Sequence, residues 1–248
     1  MIILFDVGNS NITIGIADLE KVKRIYRLKT LINKTADEYY ISIKEMISCQ
    51  EVKAIVISSV VPELIDILTE ISVNYFNVQP LVFSNGIKTG IQIITDNPKE
   101  VGSDIIADAV GSLSYGNSVL VVDLGTATKY IYVKNKAFHG CAIAPGVNVA
   151  LKALVSSASL LPSIDIKTPK TVIGKNTITS MQSGITYATA SQVDGMIRRI
   201  KEEVKDENLV VVATGGLAPT IIPLCKENII CDKNLTLDGM LEVYKKNL

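Results

Sequence analysis

The sequence predicts an α/β protein made of two similar halves. Apolar runs of strand type and amphipathic segments of helical period follow each other along the 248 residues. An Asp-x-Gly motif closes a strand-like run at Asp6 and again at Asp123, 117 residues later. A repeat at close to half the chain length indicates two domains of one type, and we place them at residues 1–116 and 117–248.

The composition restricts the possible functions. Basic and acidic residues number 25 each, so the chain has no net charge. Proteins that bind nucleic acid or an anionic membrane surface depend on an excess of basic residues, so neither partner is expected. Apolar residues make up 48% of the chain, which is enough for a sizeable core.

The cysteines and the first residues predict a reduced, cytoplasmic protein. The four cysteines include no Cys-x-x-Cys pair and are Cys49, Cys141, Cys225 and Cys231. With a single histidine in the chain, a Cys/His zinc site is not expected. The first apolar run lacks a basic leader and is interrupted by Asp6, unlike a signal peptide or a membrane span.

The opening stretch predicts a strand, a turn and a returning strand. Residues 2–5 are apolar and lead to Asp6, where a carboxylate could hold a metal ion or its bound water. The turn offers an open glycine backbone and small polar groups to an anion, namely Gly8, Asn9, Ser10, Asn11 and Thr13. This arrangement suits a Mg-bound phosphate. The alternative is an ordinary β-hairpin with an Asn/Gly turn.

Two later stretches extend this hypothesis. Residues 119–133 repeat the order of strand, Asp-x-Gly turn and return strand, and two such turns facing each other would hold a phosphate chain. Residues 209–218 form a buried-strand pattern that ends at Gly215 and Gly216, where a flat nucleoside could lie against the backbone. A plain strand-to-helix connection is the alternative for the glycine pair.

The other elements follow from periodicity and end signals. In the first half we predict strands at 22–28, 52–58 and 80–83, and helices at 36–48, 62–75 and 105–113. Thr35 and Glu38 form a capping box, and Pro62 suits the first turn of a helix. In the second half we predict strands at 137–143, 209–214 and 229–231, and helices at 148–157, 178–204 and 237–246. The longest helix could break near Gly184 or Gly195.

The three glycine-containing stretches, in this order, resemble the superfamily of actin, sugar kinases and heat-shock ATPases. The resemblance implies two tandem ribonuclease H-like domains with a nucleotide cleft between them. Asp6 and Asp123 would then lie on opposite walls of that cleft.

More closely, the chain resembles the type III pantothenate kinases of bacteria along nearly all of its length. The matching stretches are residues 6–11, 35–39, 58–62, 96–102, 123–128, 142–146, 173–177, 181–184 and 213–218. The resemblance implies ATP-dependent phosphorylation of pantothenate to 4′-phosphopantothenate, the first step of coenzyme A biosynthesis. It also implies a cytoplasmic homodimer that uses Mg²⁺ and a monovalent cation, K⁺ or NH₄⁺.

The resemblance assigns roles to individual residues. Asp104 matches the base near the primary hydroxyl of pantothenate, Asp6 the Mg²⁺ position, and Asp123 the monovalent-cation position. The positions that match ATP contacts are Asp6, Val7, Gly8, Asn9, Ser10, Asn11, Ile12, Thr13 and Thr126. Those that match substrate contacts are Thr95, Gly102, Ser103, Asp104, Ile105 and Thr177. The helices that begin near residues 148 and 178 are the candidates for the dimer interface.

Five positions depart from the family pattern, among them Ile131, which replaces an aspartate, and Cys141, which replaces a glycine. Ile105 stands where the family has arginine, Thr95 where it has an aromatic residue, and Lys129 where it has a small hydroxyl residue. Losing a buried arginine–carboxylate contact costs about 2–5 kcal/mol of binding free energy. The nucleotide half of the site therefore matches the family pattern better than the substrate half. Two alternatives therefore stay open: a kinase for another small alcohol, and a degenerate paralogue that binds nucleotide or a partner without turnover. Asp104 could equally be a simple helix-end residue.

Overall fold

The computed structural model describes residues 1–47, 51–84, 86–206 and 208–248. These residues group by contact into two units, Met1–Gly111 with Asn234–Leu248, and Ser112–Lys233. In the part of the chain that is described, no helix combines the length and the apolarity that crossing a membrane requires.

Strands and helices alternate in both units. The strands are β1 (Ile2–Val7), β2 (Asn11–Ala17), β3 (Val22–Lys29), β4 (Ala54–Ser59), β5 (Leu81–Val82), β6 (Gln92–Ile93), β7 (Ser118–Leu124), β8 (Ala127–Lys134), β9 (Ala137–Pro145), β10 (Val210–Thr214) and β11 (Ile230–Cys231). The helices are α1 (Ala36–Lys44), α2 (Pro62–Phe76), α3 (Ser103–Ser112), α4 (Val147–Ser157), α5 (Thr177–Val204), α6 (Ala218–Ile221) and α7 (Leu235–Lys245).

The sheet of the first unit has the strand order β3-β2-β1-β4-β5. β1 pairs antiparallel with β2 and parallel with β4. This mixed sheet follows from the connections, since a short turn joins antiparallel neighbours whereas parallel neighbours need a crossover, here through α1. The β-β-β-α-β-α order predicted for this half is confirmed.

The central strand β1 is buried on both faces, and this fixes the side to which Asp6 points. Ile3 and Phe5 belong to the apolar cluster that contains residues of α1 and α2. Ile2 and Leu4 belong to the cluster that contains residues of α3 and α7. Because side chains alternate along a strand, Asp6 lies on the same face as Leu4, the face covered by α3.

In the second unit the strands lie in the order β11-β10-β7-β8-β9. Leu120 and Val122 of β7 share an apolar cluster with Val193 and Ile197 of α5. α5 runs without interruption from Thr177 to Val204, so the break that we considered near Gly184 or Gly195 does not occur. A single helical glycine costs only about 1 kcal/mol, which the buried face of a long helix outweighs.

The closing helix α7 packs with the first unit, whereas our division of the chain placed it in the second half. Leu237 and Met240 lie in the cluster of β1 and β4. The hydroxyl of Thr236 donates to Asp108 Oδ1 at 2.6 Å, which ties α7 to α3. The apolar period of α7 shows that one face is buried, but not which sheet covers it. Assigning residues 1–116 and 117–248 to ribonuclease H-like domains stays a prediction.

The predicted helix ends agree with the structure where capping chemistry sets them. Thr35 and Glu38 form both hydrogen bonds of the capping box at the start of α1, and Pro62 opens α2. α1 ends at Lys44; its predicted end at residue 48 lies outside the described residues, as does Cys49. α3 starts at Ser103, earlier than predicted, because the Gly102 carbonyl accepts the Ile106 N–H at 3.1 Å.

Candidate active site

The first turn joins β1 to β2 and is held by the end of β3. The Gly8 N–H donates to the Asn11 carbonyl at 3.0 Å. The Thr30 hydroxyl donates to the Gly8 carbonyl at 2.6 Å, and the Thr30 N–H donates to the Ser10 carbonyl at 3.2 Å. Two strands therefore position a turn whose tip, at Asn9 and Ser10, is exposed.

This turn is not the tight hairpin turn that we considered as the alternative. Two-residue Asn/Gly turns of that kind need positive φ angles. In the described ranges the non-glycine residues with positive φ are Asn77, Asn135, Lys136 and Lys205. Asn135 and Lys136 make such a turn between β8 and β9, whereas Asn9 and Ser10 do not.

Two residues of the predicted ATP-binding stretch belong to the core. Val7 and Ile12 are each 1% exposed and pack in the cluster that includes Phe5. Their side chains cannot reach a ligand, so any contact they make must come from the backbone. The turn residues Asn9, Ser10 and Asn11 are exposed and can donate amide hydrogens to an anion.

Asp6 and the start of α3 meet at the carboxyl edge of the first sheet. Asp6 lies beside Ser58 in the parallel pairing of β1 with β4. The Ser58 hydroxyl donates to Ser103 Oγ at 3.0 Å, and the Ser103 hydroxyl donates to the Ser59 carbonyl at 3.2 Å. Ser58 was not among our candidates, although a hydroxyl directly after a buried strand is the signal that could have found it.

The Asp104 carboxylate is held at the first turn of α3. Its Oδ1 accepts the Ile105 N–H at 2.8 Å. A Cβ added at Gly102 would lie 2.6 Å from the same oxygen. The carboxylate therefore lies over the glycine backbone, in space that any side chain at position 102 would occupy.

The remaining substrate candidates have different surroundings. Ile105 is 7% exposed, so it contributes apolar packing and no charge. Thr95 Oγ1 is buried and meets no hydrogen-bond partner within the described part of the chain. Thr177 belongs to the second unit, where it is exposed just after Asn176, the N-cap of α5.

The second turn is one residue shorter than the first. β7 and β8 pair up to Leu124 with Thr128, whereas β1 and β2 pair up to Val7 with Ile12. As a result Asp123 faces Lys129 across the strands. Lys129 Nζ lies 2.8 Å from Asp123 Oδ2, and the two side chains are 8% and 14% exposed.

The glycine pair of the third stretch lies beside this second turn. Thr214, at the end of β10, pairs with Asp123. Gly215 has a φ of +94°, and an added Cβ would lie 2.6 Å from Asp123 Oδ1. The Leu217 N–H donates to the Leu124 carbonyl at 3.4 Å. From β10, Thr214 therefore lies beside Asp123, and the glycine backbone at position 215 lies close to its Oδ1.

The two predicted cation positions differ in how well their residues fit. Mg²⁺ binds through one or two carboxylates together with phosphate oxygens and water. Asp6, with the hydroxyl residues Thr13 and Ser58 paired on either side, fits that description. Asp123 does not fit a K⁺ or NH₄⁺ site, because Lys129 already occupies its Oδ2. The described residues contain no group of three His, Cys, Asp or Glu side chains that could hold a metal.

Solved structures share this fold at low sequence identity. A Baf family protein from Campylobacter jejuni superimposes with a TM-score of 0.58 at 19% identity, covering 99% of this chain and 98% of that one. The inorganic polyphosphate/ATP-glucomannokinase of Arthrobacter sp. strain KM gives 0.52 at 16% identity, with coverages of 99% and 98%. These similarities confirm the predicted α/β fold class, which the structure shows as two mixed sheets.

Sequence comparisons identify the family. The profile described as type III pantothenate kinase matches residues 2–199. The type III pantothenate kinase of Acholeplasma laidlawii is 43% identical over 248 residues, covering 100% of both chains. That of an Exiguobacterium species is 42% identical over 254 residues, covering 100% of this chain and 99% of the other. Because the profile spans most of the chain and these relatives match it from end to end, the chain belongs to the type III pantothenate kinase family.

Proposed function

We propose that this chain transfers the terminal phosphoryl group of ATP to the primary hydroxyl of pantothenate, giving 4′-phosphopantothenate for coenzyme A biosynthesis. The observation that supports this most is the Ser58–Ser103 hydrogen bond, which joins the edge that carries Asp6 to the helix that carries Asp104. The carboxylate that would hold Mg²⁺ and the carboxylate that would act as base would thereby lie at one edge of the first sheet.

The nucleotide contacts follow from the first turn. Phosphoryl transfer needs positioning and charge neutralisation more than covalent catalysis. The amide and hydroxyl groups of Asn9, Ser10 and Asn11 would hold the phosphates, and Thr126 is also assigned to ATP contact by the family resemblance. Asp6 would hold Mg²⁺ directly or through water, and this ion supplies positive charge to the phosphate oxygens when bound.

Asp104 would act on the acceptor. The hydroxyl oxygen of pantothenate forms a bond to the terminal phosphorus as the bond to ADP breaks, and the hydroxyl proton passes to the Asp104 carboxylate. A base at hydrogen-bond distance can take this proton late, as the new bond develops. The Ile105 N–H holds the carboxylate at 2.8 Å, which limits its rotation.

The substrate half of the site would rely on hydrogen bonds in place of the missing arginine. Ile105 is buried and cannot pair with the pantothenate carboxylate. The Thr95 hydroxyl is buried without a partner in the described chain, so a substrate group that bonds it would satisfy a desolvated donor. Because Ile105 and Thr95 differ from the residues of the family pattern, another small alcohol remains the second candidate substrate.

An ADP-release assay with and without pantothenate tests the function, with mass spectrometry of the product. Pantothenate-dependent ADP release with a product heavier by one phosphate supports the proposal. Release that depends on a different alcohol supports the second candidate. Nucleotide binding without release in the presence of any alcohol supports the degenerate paralogue.

Replacing Gly102 with alanine is expected to lower turnover with little effect on stability. The new Cβ would collide with Asp104 Oδ1, and the carboxylate would have to leave the position in which the Ile105 N–H holds it. Displacing a reacting group by about 1 Å can cost about 10²-fold in rate. Gly195→Ala is the matched control, because an added Cβ there meets nothing within 4 Å. Equal turnover of Gly102→Ala and wild type would show that the carboxylate position does not matter.

We also propose a homodimer formed through the second unit. Large apolar side chains are exposed on α4, on the connection after it and at the start of α5, including Leu160 at 91% and Ile173 at 83%. Exposed patches of this kind mark association surfaces. Sedimentation velocity at micromolar concentration is expected to give a dimer, and Ile173→Glu a monomer. A wild-type monomer at that concentration would contradict the proposal.

A further inference from the structure

The second turn contains a positive charge supplied by the chain itself. Lys129 Nζ lies 2.8 Å from Asp123 Oδ2, with both side chains largely buried. Desolvating two charges costs as much free energy as their attraction returns, so a buried ion pair is weak evidence of a stabilising role. We therefore looked for a functional role of the Lys129–Asp123 pair.

The pairing of two strands, rather than a loop, positions this ammonium. Lys129 and Asp123 are direct cross-strand partners in β8 and β7. The other carboxylate oxygen is enclosed by backbone, since Cβ atoms added at Gly215 and Gly125 would lie 2.6 and 3.4 Å from Oδ1. The carboxylate thus has glycine backbone on one side and the lysine on the other.

The two turns differ in charge at equivalent positions. Asp6 faces Thr13 across its strands in the way that Asp123 faces Lys129. The neutral hydroxyl of Thr13 adds no positive charge beside Asp6. The ammonium beside Asp123 makes a neutral pair, with the same net charge that a K⁺ ion on the carboxylate would produce.

We propose that the Lys129 ammonium takes the place of the monovalent cation in this chain, so that nucleotide binding and turnover require neither K⁺ nor NH₄⁺. A covalently attached cation is present at a high effective concentration and cannot dissociate. A second monovalent cation at Asp123 would add an uncompensated buried charge, which is unfavourable. The part of this proposal that concerns turnover rests on the proposed kinase function; the part that concerns cation binding does not.

The wild-type protein tests this directly in chloride salts of K⁺, NH₄⁺, Na⁺ and tetramethylammonium at equal ionic strength. Calorimetry with a non-hydrolysable ATP analogue and Mg²⁺ is expected to give dissociation constants within about twofold of each other in the four salts. If the cation does not bind at Asp123, it cannot change the affinity for the analogue. Without nucleotide, the thermal unfolding temperature is expected to be no higher in K⁺ than in the other salts. A more than about fivefold tightening in K⁺ or NH₄⁺, the low end of ordinary site coupling, would overturn the proposal.

Three variants separate the role of charge from that of packing. Lys129→Ser opens space for an ion beside Asp123, so K⁺ should tighten analogue binding by about tenfold or more. Lys129→Met fills the same space with an uncharged side chain, and this variant should bind the ATP analogue weakly in every salt. Lys134→Ser is the control, because Lys134 pairs with Asp206 at the far end of the same strand. A folded Lys129→Ser protein that is indifferent to K⁺ would refute the proposal.

The failures of the two proposals are distinguishable. If the wild type shows no pantothenate-dependent ADP release in any salt, the kinase proposal fails, while analogue binding and thermal unfolding still report on Lys129. If turnover occurs only in K⁺ or NH₄⁺, the kinase proposal stands and the inference about Lys129 fails. If Lys129→Ser does not fold, the wild-type salt series decides.

Discussion

Replacing Asp104 with asparagine is expected to remove nearly all pantothenate-dependent turnover and leave nucleotide binding almost unchanged. Asparagine keeps the size of the side chain and an oxygen that can accept the Ile105 N–H. It loses the basicity needed to take the hydroxyl proton. The loss in turnover should be about 10²–10⁴-fold, the usual contribution of a positioned general base. The coupled assay and calorimetry with an ATP analogue measure the two effects separately.

Glu63→Gln is the matched control for Asp104→Asn. Glu63 is also acidic and lies in the first turn of a helix, α2, where it interacts with the helix dipole but has no proposed contact with substrate. If both variants lose a similar, small amount of stability and neither loses turnover, Asp104 is an ordinary helix-end residue and the assignment of the base is wrong.

Replacing Asp6 with asparagine is expected to act on a different step. The substitution removes the charge that would hold Mg²⁺ at the edge of β1, so the affinity for Mg-ATP should fall. Removing groups that orient a bound metal or its water typically costs about 10–100-fold in affinity or activity. The Mg²⁺ concentration needed for half-maximal analogue binding should rise, which calorimetry at several Mg²⁺ concentrations measures.

The exposed Asp66 of α2 provides the comparison for Asp6. Asp66→Asn makes the same change in net charge at a position away from the carboxyl edge of the sheet, and should leave the Mg²⁺ dependence as in wild type. An Asp6→Asn protein with an unaltered Mg²⁺ midpoint would show that the metal is held elsewhere. Together the Asp104 and Asp6 variants distinguish loss of chemistry from loss of nucleotide.

Much of the local structure could be predicted from the sequence because local interactions determine it. The capping box at Thr35 and Glu38 and the proline that opens α2 set helix starts within one turn of the chain. The continuous apolar run of β1 indicated a buried strand next to a polar turn. The repeated Asp-x-Gly motif indicated a second hairpin at Asp123, and β7 and β8 confirm it.

Other features depend on pairing between distant segments and could not be predicted in this way. The shorter second turn, which brings Lys129 opposite Asp123, is a matter of strand register. A shift by one residue would turn Lys129 to the other face of the sheet, and no composition signal fixes that register. Likewise the Ser58–Ser103 bond joins residues 45 positions apart, which only the docking of α3 beside β4 brings together.

The sequence by itself therefore determined most of the strands, the starts of α1 and α2, the family and the candidate aspartates, because period, capping and motif order are properties of neighbouring residues. The tertiary structure decided that Val7 and Ile12 face the core, that α7 joins the first unit, and that Asp123 is already paired with an ammonium. These outcomes arise from packing and strand register, in which side chains far apart in the chain compete for the same buried space.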